Sequence, residues 1–135
     1  RRCSMSENLD RVKDYLLDLG LTIVAENEAE ELVVVDDEDN GIKQLVIDCE
    51  PPIVVLEQLI AEVPAEPRDL FVRLLQMNNT LVHGAFVLDE AAERIFFRDT
   101  LQLAHLDLNE LESSIRALSL TLAEYGSELL TYLKK

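Results

Sequence analysis

The stretch Leu74-Leu75-Gln76-Met77-Asn78-Asn79-Thr80-Leu81-Val82-His83-Gly84-Ala85-Phe86-Val87-Leu88-Asp89 decides how the chain is read. Its first part closes a helical pattern. Pro67 suits a first helical turn, and Leu70, Phe71, Leu74, Leu75 and Asn78 then trace one face, which predicts a central helix from about 67 to 79. Its second part, Leu81 to Leu88, is strand-like. Asp89 to Arg94 reads as a turn and Ile95 to Leu103 as the returning strand of a hairpin. A helix feeding a hairpin is the unit around which everything else must be placed.

Upstream, Ser6 is a good N-cap, and Leu9, Val12, Leu16 and Leu19 recur at helical spacing up to Gly20, which predicts a helix over about 7 to 19. Leu21 to Ala25 and Glu31 to Val35 are short and rich in β-branched residues, and they read as paired strands. The acidic turn Asp36 to Gly41 ends in Asn-Gly, after which Ile42 to Cys49 reads as another strand closed by Pro51-Pro52. Ile53 to Val63 also satisfies a helical period through Ile53, Leu56, Ile60 and Val63. Bounded by prolines and β-branched, it is read mainly as strand. Downstream, Asp107 with Glu110 forms a capping box that opens a long helix ending near Leu133, with Lys134 and Lys135 at its negative end.

No linker rich in glycine or proline divides the chain, so residues 6–133 are expected to form one domain, with 1–5 a disordered or foreign N-terminus in which Arg1 to Ser4 precede Met5, a plausible start. Mostly adjacent strands with short connections imply an antiparallel sheet. The expected class is α+β, with helices packed on one face of that sheet and the order α-β-β-β-α-β-β-α.

The 135 residues are 48% hydrophobic, enough to bury a core. Against 12 Lys and Arg stand 27 Asp and Glu, a formal charge of -15 that repels phosphate backbones and anionic lipid, so neither nucleic acid nor membrane is expected as a partner. The same charge favours solubility and can steer a basic partner. Two cysteines, Cys3 and Cys49, give no disulfide framework or CxxC pair, and no signal sequence or long uncharged apolar segment is visible. A reducing cytoplasm fits best.

Motifs for chemistry are absent from the sequence. Asp36 to Gly41 has the glycine of a calcium loop at its sixth position. The twelfth would be Ile47, where a bidentate carboxylate is needed, so an acidic hairpin is the better reading. His83 and His105 lie in no metal-ligand spacing, and Cys49 reads as core filler in a strand. No GxxxxGKS, GxGxxG or GxSxG occurs. Catalytic, cofactor and metal residues are therefore all expected to be none.

The Leu74 to Asp89 stretch, with its Leu-rich helix, its asparagine, Gly-x-Phe and an apolar strand end at Asp89, resembles the pattern of the type III secretion chaperone-like family, which includes the YbjN and Tir-chaperone (CesT-like) groups. Arg98-Asp99-Thr100-Leu101 and the capped helix continue it, so the resemblance spans most of residues 6 to 133. It implies a non-enzymatic bacterial protein-binding module. It further implies a homodimer whose exposed apolar surfaces hold an extended segment of a partner, either a secreted effector or a signalling component. The family also contains YbjN-like regulatory proteins with no secretion role. Phe71, Leu74, Met77, Val82 and Phe86 are the candidate dimer or partner surface.

Overall fold

The computed structural model describes residues 2–133, with side chains from residue 7 onward. Helix α1 (Arg2–Asp18) leads into strands β1 (Thr22–Asn27), β2 (Leu32–Asp37), β3 (Ile42–Glu50) and β4 (Ile53–Glu62). Helix α2 (Arg68–Asn78) follows, then β5 (Ala85–Leu88), β6 (Arg94–Gln102) and the long α3 (Leu108–Leu133). The class is the α+β expected. Ile53–Glu62 is a full strand, so four strands precede the middle helix and the order becomes α-β-β-β-β-α-β-β-α. Its pairing partners on both sides, β3 and β6, settle an ambiguity that periodicity left open.

The helix ends differ from expectation in instructive ways. Helix α1 begins at Arg2, ahead of Ser6, so residues 2–5 of the expected leader are helical backbone, whereas the side chains up to Ser6, and the terminal Lys134 and Lys135, lie outside the described residues. Asp107 does cap α3, its Oδ1 accepting the Glu110 N–H at 2.8 Å. Strand β5 is half the length predicted. Thr80 and Leu81 donate their N–H groups back to Met77 and Asn78, and Gly84 sits at φ +77, so the chain turns through 79–84 before it can extend.

All six strands pair antiparallel in the order β1-β2-β3-β4-β6-β5. Alternation then assigns the faces. Val33, Ile47 and Leu56 lie opposite one another and are buried, as are Phe97 and its partner Phe86. These join Leu9, Val12 and Leu16 of α1, Leu70, Leu74 and Met77 of α2, and Leu111, Ile115 and Leu118 of α3 in one core. Buried Gln58 in β4 accepts the Lys43 N–H at 3.0 Å and donates to the Gly41 carbonyl at 3.1 Å. That satisfies the backbone where β3 opens with an irregular register against β2.

The α2–β5 junction is closely packed. The Phe86 and Phe97 rings meet edge to face, with centroids 5.5 Å apart. Gly84 lies against the second ring so closely that a Cβ there would fall 2.5 Å from Phe97 Cε2 and Cζ. Both the left-handed backbone and the ring demand glycine. Gly84→Ala is expected to lower unfolding free energy by roughly 2 kcal/mol or more. Gly126→Ala, on α3 with open space at its Cβ, should raise it by about 0.5–1 kcal/mol. Chemical denaturation of both variants checks the pair of outcomes.

Candidate partner-binding surface

Helix α2 turns about 100° per residue, so its three sides can be assigned from its contacts. Leu70, Leu74 and Met77 point into the core. Arg73 is committed to α3: its guanidinium makes a two-pronged contact with the Glu128 carboxylate and lies 5.6 Å from the centre of the Tyr125 ring. The bond raises the proton affinity of Arg73 and lowers that of Glu128. Tyr125 in turn shares a 2.8 Å hydrogen bond with Thr80 at the end of α2. Two sides of the helix are thus occupied within the chain.

The remaining surface is open, and large apolar side chains stand on it among exposed Arg68, Asp69, Gln76 and Asn79. Val72 is 49% exposed and Leu75 71%, while Val82, in the loop that follows, is 89% exposed. Phe71 is half-buried at the margin of the core. Of the five residues singled out in the sequence, Leu74, Met77 and Phe86 are therefore buried and join α2 to the sheet, Phe71 bridges core and surface, and Val82 projects outward. Val72 and Leu75 complete the exposed set. Their signal was present in the sequence: a core line through Leu70, Leu74 and Met77 leaves 72 and 75 on the outer side of the helix.

Asn78 closes the edge of the sheet beside this surface. Its side-chain Oδ1 accepts the Phe86 N–H at 2.8 Å, and its Nδ2 donates to the Phe86 carbonyl at 3.1 Å. One carboxamide thereby supplies both bonds that a neighbouring strand would make to Phe86, at the end of the sheet where an unpaired edge would otherwise invite association. At the far end of the hairpin Asp89 Oδ1 accepts N–H groups of Glu93 and Arg94, which holds its carboxyl below the usual range. Asn78, Gly84, Phe86 and Asp89 each have a physical task in one small unit.

The opposite part of the sheet is electrostatically unsettled. Asp48 on β3 is pushed up to about 6 by burial, by a hydrogen bond with Glu50, and by the charges of Glu50, Glu30 and Glu31. Glu31, at φ +56, is buried with neither carboxylate oxygen paired among the described residues, and burial raises it too. The Cys49 thiol is pushed up to about 11, chiefly by burial, and stays protonated at neutral pH. His83 and His105 are exposed, in the loops before β5 and α3. Among the described residues no three His, Cys, Asp or Glu side chains converge as metal ligands, and no helix is long and apolar enough to cross a membrane. The Asp36 to Gly41 segment is an ordinary turn, with Asn40 Nδ2 donating to Asp37 at 2.7 Å.

A six-stranded antiparallel sheet backed by three helices, with this helix-to-hairpin unit, is the architecture of the type III secretion chaperone-like proteins. The chain belongs to the CesT_Tir_1 family, whose sequence pattern matches residues 5–135. No curated protein matches the sequence. Among solved structures it is similar to YbjN from E. coli, with a TM-score of 0.69 and 16% identity over 89% of this chain and 92% of that one. It is similar to the ExsC-ExsE complex, with a TM-score of 0.65 and 16% identity over 93% and 95%. The HopA1-SchA chaperone-effector complex matches with a TM-score of 0.63 and 13% identity over 87% and 94%. These likenesses are of fold.

Two outcomes follow from this geometry. Asn78→Ala is expected to cost about 1–3 kcal/mol, because it strands both Phe86 backbone groups at the edge. The Phe86 amide should also exchange its hydrogen faster, which exchange measured by NMR would show. Asp48 holds its proton more tightly folded than unfolded, so its contribution to stability grows as pH falls from about 6 towards its ordinary value of 3.8 and is lost as pH rises through 6. Asp48→Asn should therefore raise the melting temperature at neutral pH and flatten its dependence between about pH 4 and 6. Scanning calorimetry across that range checks the sign.

Proposed function

We propose that this protein is a non-enzymatic binding module that acts as a homodimer and holds a segment of a partner protein through the outer side of α2 and the loop before β5. The observation that carries this reading is the exposed apolar set Val72, Leu75 and Val82, beside half-buried Phe71 and next to an edge whose backbone is already occupied by Asn78. Large apolar side chains left in water are stabilised by burial at about 25 cal/mol per Å², which needs no catalytic group. Membership of the CesT_Tir_1 family supports the same reading, as does a fold shared with a chaperone-effector complex. The charge of -15 favours a basic or neutral polypeptide over nucleic acid, and a reducing cytoplasm suits the protonated Cys49.

The test is affinity capture of the tagged protein from its native lysate, with light scattering of what elutes. The expected result is a dimer retaining one dominant protein through a segment that proteases cut when it is free. A folded Leu75→Asp/Val82→Asp variant should bind that protein at least about tenfold more weakly. A monomer that retains no polypeptide would overturn the reading. Retention of a folded signalling component would replace the chaperone role with a regulatory one.

A further inference from the structure

The corner where β2 begins and β3 ends gathers Glu30, Glu31, Asp48 and Glu50. Glu31 is 3% exposed and stands in the left-handed region at φ +56, and neither of its carboxylate oxygens finds a partner among the described residues. Its backbone carbonyl accepts the Cys49 N–H at 2.9 Å, which closes this end of the β2–β3 ladder. Asp48 is half-buried on the other face, opposite Leu32 and Val55, with exposed Glu50 two residues further along that face. A buried carboxylate without a partner is costly to ionise.

The elements around this corner do not answer its charge. From α1, Arg11 bears on the same Cys49 thiol as Glu31, yet its Nη2 donates to the Leu103 carbonyl at 2.8 Å and its buried Nε has no partner among the described residues. Lys13 is taken by Glu26 at 3.1 Å, and exposed Glu7 and Asp10 on the same helix add only negative charge. Strand β4 brings Ile53, Val54 and Val55, which carry none. The β1–β2 turn adds exposed Glu28 and Glu30, and is itself held by the Glu31 N–H on the Glu28 carbonyl at 3.2 Å and the Glu30 N–H on Asn27 Oδ1 at 3.1 Å.

We propose that this corner is a proton-operated clasp on the β1–β2 turn: with Glu31 and Asp48 protonated the rung between Cys49 and Glu31 stays closed, and with both ionised their repulsion opens it and frees residues 28–31. Burial sets the sign. Both acids hold their protons more tightly folded than unfolded, so acid favours the closed corner, and that stabilisation is lost as pH rises through the folded values, about 6 for Asp48. The opening is local. Val33, Val35, Leu45 and Ile47, buried further along the same ladder, keep its other rungs shut.

The experiment follows amide hydrogen exchange of the full chain by NMR between about pH 5 and 7.5, each rate divided by its intrinsic rate at that pH. As pH rises, protection of the Cys49 amide is expected to fall about tenfold more than that of Leu45, further along the same ladder. Glu31→Gln keeps the backbone carbonyl and removes the charge, so it should abolish most of that excess. Asp48→Asn repeats the test from the outer face and should reduce the excess as well. Equal falls at Cys49 and Leu45 report a change in global stability alone and overturn the inference. So does a Glu31 carboxyl carbon that titrates at its ordinary value of 4.5. Protection that instead rises with pH, and no longer does so in Arg11→Gln, would mean that the guanidinium answers Glu31, and the clasp fails.

Discussion

The rest of the structure depends on a single carboxamide. Asn78 ends α2 and binds both backbone groups of Phe86, so the middle helix and the last strand of the sheet are fixed to each other at the atom level. Once Phe86 is held, its ring meets Phe97 edge to face, and Gly84 must lie flat against that second ring. Phe97 sits on β6, the strand that joins this hairpin to β4 and hence to the first four strands. One polar side chain thus ties the end of α2 to the edge strand of the sheet.

The packing of α2 decides which of its side chains stay in contact with solvent. With Leu70, Leu74 and Met77 turned inward and Arg73 tied to Glu128 and Tyr125, the side of α2 bearing Val72 and Leu75 has no partner within the described residues. A protein closes an exposed strand edge to avoid unwanted pairing, and Asn78 does so here with one side chain.

Electrostatics acts over the whole surface. A formal charge of -15 and the crowded carboxylates around Asp48 cost stability by self-repulsion, and they favour solubility of a molecule with exposed apolar side chains. The exposed ion pairs, such as Lys13 with Glu26 and Arg116 with Glu112, contribute little by comparison. The one described thiol is buried and protonated, and both histidines face solvent.

By itself the sequence determined the class, the antiparallel pairing and nearly every element, because apolar period, turn residues and the Asp107 cap are local signals that the backbone obeys wherever it is. It also marked Asn78, Gly84, Phe86 and Asp89 as a pattern, without saying what each does. Tertiary structure decided the rest. Ile53–Glu62 became a regular strand because β3 and β6 pair with it on both sides, which no local period encodes. Leu81 to Gly84 became a turn because Gly84 must pass the Phe97 ring. Leu74, Met77 and Phe86 went inside while Leu75 and Val82 stayed out, because which side of an apolar helix is buried depends on what packs against it, and Asn78, Glu128 and Tyr125 fix that from distant parts of the chain.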